Sequence, residues 1–437
     1  MRCAALRLAQ WAAELQPAPA DLALARRSLQ DTVAVAVAAR SHRATRLAAS
    51  LPEGAHWAVA AHVLDFDDLH LPSTAHISAV CVPVALAVGG GPRAYLAAAG
   101  VMARLGTALG WQHYAAGWHA TCTAGAPASA AGAAVALGLP CSQIAVAMAL
   151  AVPAAGGVQR AFGTDAKSLQ VGFAVDAGIR AARLAAAGAE ADPGALDTWL
   201  SLAGGDPAAV DVTGPAVPGG LAVKLYPCCY ALQRPISAIS GLAGQQLDPA
   251  QVSRIVLSTP EATVVPLIHH RPQSGLEGKF SLEYGAAAAL LDGYPGFGSF
   301  TDLAVRRPAA QRLAGLVETR LAPGGSWLLD GELAVEIHSA DGASRGAASA
   351  SPRDPRRGRR RPPGCRPSWP TACAGWTPTR RHGPGKGRPP RCGGSCPGRP
   401  RHPSAPAQDA AGAQPTSAPG ENTTGATGTG SEQAWMS

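Results

Sequence analysis

Acidic and histidine side chains cluster around residue 65. The segment HVLDFDDLH at residues 62–70 is followed by a short polar loop that contains His76. If the first part is helical, Asp65 and Asp68 are three residues apart and share one face. Carboxylates this close repel when all are ionised, so either a nearby cation or one raised pKa is expected. This pattern suits general acid–base catalysis, but a helix end that enters a solvated loop explains the spacing at least as well.

Two further segments place single cationic or titratable side chains among small and apolar residues. His119 follows Gly-Trp and precedes small residues that could open a helix, where an imidazole and backbone N–H groups could meet an anion. Lys167 and Lys224 lie in otherwise apolar segments of a chain that has only two other lysines. The two lysines are as consistent with ordinary surface lysines as with binding of carboxylates, and a lone histidine is more often structural.

A fifth segment, GKFSLEY at residues 278–284, predicts a helix that begins after Ser281 as N-cap. Capping alone would explain it. The sequence contains no P-loop and no Gly-x-Ser-x-Gly motif, and the glycines at 89–91 lack the context of a dinucleotide site. His62, Asp65, His70 and His76 could be arranged as metal ligands, but no HExxH or paired spacing is present. We therefore predict neither a metal nor a cofactor.

The elements that must position these side chains are mostly helical. Apolar periodicity and runs of Ala, Gly and Leu predict a large all-helical domain over residues 1–245. The predicted helices include 21–40, 56–69 and 79–88, and they continue to about residue 188. The stretch Ile144–Ala155 is too short to span a bilayer and is interpreted as a buried helix.

A smaller α/β domain is predicted over residues 246–343. Its predicted strands are 254–258 and 332–338, and its predicted helices are 282–291 and 303–321, the second of which could begin only at Pro308. Asp341-Gly342 is a strong hairpin-turn signal. Because proline and clustered arginine soon follow it, we expect an incomplete hairpin with an unpaired strand edge at 332–338.

Residues 344–437 form a predicted disordered tail. Residues 351–400 hold 12 Arg and Lys386 against Asp354, so this segment carries +12, and the rest of the chain carries −4 of the net +8. We favour a reading-frame shift in a GC-rich gene as the origin of this tail over a basic extension that binds polyanions. Nucleic-acid binding is therefore not expected beyond non-specific contacts of the tail.

The expected location is the cytoplasm. Six cysteines are scattered through the apolar part of the chain, as in proteins with reduced thiols, and no apolar signal segment is evident at the N-terminus. Neither a membrane nor a disulfide framework is expected.

Taken together and in this order, the five segments resemble the MmgE/PrpD family, which includes 2-methylcitrate dehydratases of propionate catabolism and cis-aconitate decarboxylases. The matching segments are LDFDD at 64–68 with His76, GWHAT at 117–121, GTDAK at 163–167, KLYPC at 224–228, and FSLEY at 280–284. The resemblance covers residues 5–343. It implies a helical domain with a smaller α/β lid, an active site between them, and a homodimer.

The resemblance also implies roles for individual residues. It assigns catalysis to Asp65, His76, His119 and Tyr284, and substrate binding to Lys167 and Lys224, to which we add Asp68. Two positions depart from the family: Leu69 stands where many members have threonine, and Cys229 stands where the decarboxylase branch has histidine.

The expected function is a metal-free lyase that dehydrates a small polycarboxylic hydroxy acid such as 2-methylcitrate. The open alternatives are a decarboxylase or epimerase of a related acid, and a family member inactivated by the frame shift. The acid and base remain unassigned between Asp65, a nearby histidine, His76 and Tyr284.

Overall fold

The computed structural model describes residues 3–243, 247–323 and 327–349, and within them the fold is mainly helical with one small mixed sheet. The predictions about residues 350–437 lie outside the described residues. No helix within the described part of the chain has the length and apolar character that a bilayer crossing needs.

Twelve α-helices precede the first strand among the described residues. They are α1 Ala4–Glu14, α2 Pro19–Ala38, α3 Arg43–Leu47, α4 Glu53–Val63, α5 Ser78–Ala87, α6 Gly91–Ala115, α7 Ala120–Thr123, α8 Gly125–Ala136, α9 Cys141–Ala151, α10 Ala166–Ala186, α11 Ala195–Leu202 and α12 Gln233–Ala243. The predicted helices at 21–40 and 79–88 are confirmed as α2 and α5, and the apolar stretch near 144 is confirmed as the buried helix α9.

Small residues let α10 approach its neighbours closely. A methyl group added at Gly172 would lie 2.9 Å from the Ala55 carbonyl oxygen and 2.9 Å from Val59 on α4. A methyl group at Gly178 would lie 2.3 Å from Ser129 on α8. Contacts this short leave no room for a larger side chain. The first turn of α10, which carries Lys167, is thereby held beside the C-terminal end of α4.

The remaining elements surround a four-stranded sheet. They are β1 Val252–Pro260, α13 Glu261–Val264, α14 Gly275–Gly278, α15 Leu282–Asp292, α16 Asp302–Val305, α17 Pro308–Gly315, β2 Val317–Ala322, β3 Leu333–Ser339 and β4 Ser344–Ser349.

The sheet has the order β2-β1-β3-β4, with β1 parallel to β2 and antiparallel to β3, and with β3 antiparallel to β4. Leu333, Val335 and Ile337 alternate along β3 and are buried, which confirms the predicted half-buried strand. The predicted strand at 254–258 is confirmed within β1, and the helix at 282–291 is confirmed as α15.

Three predictions about these elements are wrong. The helix predicted over 56–69 ends at Val63, because the chain leaves the helical conformation at Asp65. The helix predicted over 303–321 is split into α16, α17 and the strand β2, where pairing with β1 overrides the helical pattern. The hairpin is complete: β4 pairs with β3 from Leu333 to His338, so β3 is interior to the sheet.

Candidate active site

The site begins where α4 ends. Leu64 caps the helix in a right-handed conformation, and Asp65 then adopts a left-handed one with φ of 53°. Aspartate enters this region more readily than most residues, but at a cost of about 1–3 kcal/mol. The turn separates Asp65 from the helical face that it was predicted to share with Asp68, and it directs the Asp65 carboxylate towards two lysines.

Lys224 and Lys167 both donate to the same oxygen of Asp65. Lys224 Nζ lies 2.7 Å from Asp65 Oδ1 and 2.9 Å from the Asp65 carbonyl oxygen, and Lys167 Nζ lies 3.3 Å from Oδ1. Leu69 and Ala222 exchange two backbone hydrogen bonds that hold the two segments together. Residues from three distant parts of the sequence therefore converge, and their role in binding carboxylates stays a prediction.

All three groups are buried, so their charges interact strongly. Burial alone would raise the pKa of Asp65, but Lys167 and Lys224 outweigh it and hold that pKa far below its usual range. Burial likewise opposes the charge on Lys224, and Asp65 outweighs it and raises the pKa of Lys224. Asp65 Oδ2 has no hydrogen-bond partner among the described residues. A carboxylate this stable is a weak base, so Asp65 is suited to fixing the lysines.

His62 extends this pair into a chain of hydrogen bonds. Lys167 Nζ donates to His62 Nε2 over 2.7 Å, and an ammonium group has no lone pair to offer in return. The Nε2 atom is therefore the acceptor, and the hydrogen of the neutral ring is on Nδ1. From there it is donated to Asp67 Oδ2 over 2.7 Å. Burial, and then Lys167, lower the pKa of His62 to about 4, which keeps the ring neutral.

Asp67 lies between two imidazoles. His76 Nδ1 is 3.1 Å from the same Asp67 Oδ2, but the contact lacks the alignment of a hydrogen bond. Burial opposes ionisation of Asp67, but the rings of His76 and His62 hold its pKa well below its usual range. The carboxylate next to Nδ1 favours the neutral tautomer with its hydrogen on Nδ1, so the lone pair of His76 is on Nε2. Burial lowers the pKa of His76, so this lone pair is available at neutral pH.

His119 stacks on His62 and completes the cluster. The two ring centroids are 5.5 Å apart, and Phe162 contacts the His119 ring edge-on at 5.0 Å. The His76 backbone N–H donates to Thr121 Oγ1 over 3.0 Å, which ties the His76 loop to α7 directly after His119. His119 Nε2 is buried and has no hydrogen-bond partner among the described residues.

Lys279 connects the segments that carry Asp65 and Lys224 through hydrogen bonds. Its Nζ donates to the Leu64 carbonyl over 2.8 Å and to the Pro227 carbonyl over 2.5 Å, and it lies 4.8 Å from the centre of the Phe300 ring. Burial lowers the pKa of Lys279 to about 8. The sequence placed this lysine in a segment that capping alone could explain, and its contacts with two carbonyls were not predicted.

Two predicted site residues lie outside the cluster. Asp68 accepts from the backbone N–H of Ser78 over 3.1 Å and from the Ser78 hydroxyl, and burial raises the pKa of Asp68 to about 7. Tyr284 donates to the Ser299 carbonyl, and its ring packs edge-on against Phe300. Both side chains are hydrogen-bonded within the fold. The geometry gives no support to substrate binding by Asp68 or to catalysis by Tyr284, and both roles stay predictions.

His62, Asp67 and His76 offer three ligand-type atoms within 4.8 Å of one another. The distance of 2.7 Å between His62 Nδ1 and Asp67 Oδ2 is that of a hydrogen bond, whereas two ligands of one zinc ion are about 3.4 Å apart in a tetrahedral site. The neighbouring Lys167 ammonium also disfavours a second cation. The group is better described as a hydrogen-bonded relay than as a metal centre.

The sequence predicted no functional role for four residues of this arrangement. They are His62 and Asp67 in the hydrogen-bonded relay, Lys279 with its two carbonyl contacts, and Gln170 beside His119. His62 and Asp67 were visible in the acidic segment, but only Asp65 and Asp68 shared a helical face there. No local signal could have identified Gln170, because its partners are 12 and 51 residues away.

Comparison with known proteins gives two results. A family model described as MmgE/PrpD N-terminal domain matches residues 51–199, and one described as MmgE/PrpD C-terminal domain matches residues 226–339. A cis-aconitate decarboxylase of Aspergillus terreus is 30% identical over 200 residues, which are 40% of this chain and 41% of that relative. The match thus spans less than half of the relative's length. Asp65, His119 and Lys167 lie within the first family match, and Lys279 lies within the second.

Proposed function

The chain belongs to the MmgE/PrpD family, and from this premise we propose that it is a lyase that dehydrates a small polycarboxylic hydroxy acid of the 2-methylcitrate type. The observation that carries the proposal is the convergence of Lys167 and Lys224 on one oxygen of Asp65, beside three histidines. Buried ammonium groups paired with a single carboxylate form a site that a multiply charged organic anion can occupy.

The unsatisfied atoms support this proposal. Asp65 Oδ2, Asp67 Oδ1 and His119 Nε2 are buried polar atoms with no hydrogen-bond partner among the described residues. Such atoms are uncommon in folded proteins because each costs about 1–3 kcal/mol of desolvation. The arrangement is therefore suited to a polar ligand that is bound between these side chains. Since they are almost inaccessible to solvent, binding requires the segments over the cluster to open.

The geometry supports His76 as the base. Dehydration of a β-hydroxy acid needs removal of a weakly acidic C–H proton next to a carboxylate. With its hydrogen on Nδ1, His76 has a lone pair on Nε2 that can accept this proton, and Asp67 stabilises the imidazolium that forms. The lysines stabilise the charge that develops on the substrate carboxylate, as donors do in an oxyanion hole. The imidazolium can then return its proton to the leaving hydroxyl group.

Decarboxylation is the second candidate, and the Aspergillus terreus relative favours it. The identity of residue 229 argues in the other direction. Cys229 stands where the decarboxylase branch that the chain resembles has histidine, and burial raises the pKa of its thiol to about 12. A thiol with so high a pKa is a much weaker proton donor than an imidazolium, and it has no positive charge.

A substrate panel separates the two candidates. Purified full-length protein and a frame-corrected gene product would be incubated with 2-methylcitrate, citrate, tartrate and cis-aconitate. We expect an unsaturated product with loss of water from 2-methylcitrate or citrate, and no release of CO2 from cis-aconitate. CO2 release would favour the decarboxylase. If only the frame-corrected product turns over, this chain is an inactive family member, and the absence of any reaction from both proteins would contradict the proposal.

The homodimer that the resemblance implies is part of this proposal. Leu22, Leu29, Val33 and Val37 lie on one face of α2 and are between 40% and 54% exposed. An apolar stripe of this length on a helix surface is typical of an interface. Light scattering of the purified protein should give twice the mass of one chain. A monomer, or a dimer that Val33→Glu with Val37→Glu does not weaken, would contradict it.

A further inference from the structure

Gln170 holds the imidazole of His119 in one orientation. Gln170 Nε2 lies 2.6 Å from His119 Nδ1, and the Cys122 sulfur lies 3.2 Å from the same nitrogen. Both partners are on the Nδ1 side of the ring, and Nε2 on the other side is unpartnered among the described residues. If the hydrogen of the His119 ring is on Nε2, this atom is a hydrogen-bond donor. If the hydrogen is on Nδ1, Nε2 is an acceptor.

The backbone of Val158 fixes the orientation of the Gln170 amide. The Val158 N–H lies 3.1 Å from Gln170 Oε1, and the Val158 carbonyl oxygen lies 3.3 Å from Gln170 Nε2. If the amide were flipped, the Gln170 NH2 group would face the Val158 N–H, which is also a donor. The Gln170 oxygen would face the Val158 carbonyl oxygen, which is also an acceptor. Because a backbone N–H can only donate, Oε1 must be the acceptor, and Nε2 must point to His119.

The same backbone segment also positions His119. The His119 N–H donates to the Gly157 carbonyl over 3.0 Å, and the Gln159 N–H donates to the Gly117 carbonyl over 2.8 Å. Gly157 has a φ of 112°, and a methyl group there would lie 2.7 Å from the Cys122 side chain. The strand-like contact of residues 117–119 with 157–159 therefore holds His119 and Gln170 in one register.

We propose that Gln170 is a positioning residue that keeps His119 as the neutral tautomer with its hydrogen on Nε2. The Gln170 amide donates to Nδ1, so Nδ1 must be the acceptor. The Cys122 sulfur lies beside the same nitrogen, and burial raises the pKa of its thiol well above the usual range, so no thiolate is present to accept a hydrogen from Nδ1.

The consequence concerns the proposed lyase reaction, on which this part of the inference rests. His119 Nε2–H is a fixed hydrogen-bond donor, and His119 cannot take a proton from the substrate through that atom. Burial, with His62 and Lys167 nearby, lowers the pKa of His119 well below its usual range and keeps it from becoming a cation. His119 is thus assigned to hold a substrate carboxylate oxygen, which leaves His76 as the imidazole with a free lone pair.

Nitrogen NMR of protein labelled with 15N-histidine tests the tautomer without any substrate. Signals of His119 are assigned by their loss in His119→Gln. We expect one neutral ring with hydrogen on Nε2 at pH 7. Hydrogen on Nδ1, or a cationic ring, would overturn the inference. If the expected tautomer is found and no polycarboxylate is converted, the proposed function fails while the tautomer assignment stands.

Variants of Gln170 test its role directly. Gln170→Glu replaces the donor by an acceptor and should move the hydrogen of His119 to Nδ1, with turnover slowed by about 100-fold, as when one oxyanion donor is lost. Gln30→Glu on the exposed side of α2 makes the same charge change away from the site and should alter neither reading. If Gln170→Glu does not fold, Gln170→Met should give a mixture of tautomers. Retention of pure Nε2–H in a folded Gln170 variant contradicts the proposal.

Discussion

Lys224 donates two hydrogen bonds to Asp65: its Nζ lies 2.7 Å from the carboxylate oxygen Oδ1 and 2.9 Å from the backbone carbonyl oxygen of the same residue. The double contact fixes both the carboxylate and the left-handed backbone of Asp65. Because Lys167 donates to the same carboxylate oxygen, the position of both lysines depends on this one residue. This dependence leads to the first prediction.

Asp65→Asn should reduce kcat by about two or more orders of magnitude. It leaves two neighbouring buried ammonium groups without a counter-charge, so it should also lower the free energy of unfolding by about 3–5 kcal/mol. Steady-state kinetics and urea unfolding at pH 7 measure both effects. Asp176→Asn, at a surface ion pair with Arg180, is the matched control and should change kcat little. Normal turnover by Asp65→Asn would show that the Asp65 carboxylate is not needed for the reaction.

The pH profile of kcat/KM should follow His76. Its pKa lies below 6.5, so the neutral base is present at pH 7 and is lost as pH falls through that lower pKa. The acid limb should therefore lie below pH 6.5. Asp67→Asn removes the negative charge that favours the imidazolium, so turnover should slow by about 100-fold and the acid limb should move to lower pH. An acid limb that stays in place, with kcat unchanged, would show that the base lies elsewhere.

The affinity for substrate should fall at alkaline pH as Lys279 loses its proton. Its pKa of about 8 means that the buried positive charge near the site is lost as pH rises through that value. KM for a polycarboxylate should therefore rise several-fold above pH 8, and Lys279→Met should have a high KM at every pH. Lys279→Arg keeps the charge and should move the alkaline limb upwards. A wild-type KM that is flat from pH 7 to pH 9.5 would contradict this prediction.

Tyr284→Phe should leave turnover within about a factor of ten of the wild type. The hydroxyl donates to the Ser299 carbonyl, and the ring is buried against Phe300. Loss of that hydrogen bond should lower the free energy of unfolding by about 0.5–1.5 kcal/mol. Thermal unfolding and kinetics on the same preparation separate the two effects. If turnover instead slowed by about 100-fold while stability was retained, Tyr284 would regain the catalytic role that the resemblance implies.

Local sequence determined the parts of this protein that depend on neighbours along the chain. Apolar periodicity identified α2, α5 and α15, and alternation identified β3 with Val335 and Ile337 on its buried face. Lys167 and Lys224 were identified because lysine is rare in this chain and because both lie among apolar residues. Such signals survive because helix and strand periods are set by covalent geometry, and because buried charges are too costly to retain without partners.

Only the tertiary structure decided which side chains face the site. Asp65 and Asp68 have the same chemistry and are three residues apart, yet one meets two lysines and the other meets Ser78. The left-handed turn at Asp65 separates them, and it is held by Lys224, 159 residues away. The tautomer of His119 likewise depends on Gln170 and on the backbone of Val158. A hydrogen bond needs angles and distances that a sequence pattern does not contain, so these assignments had to come from the fold.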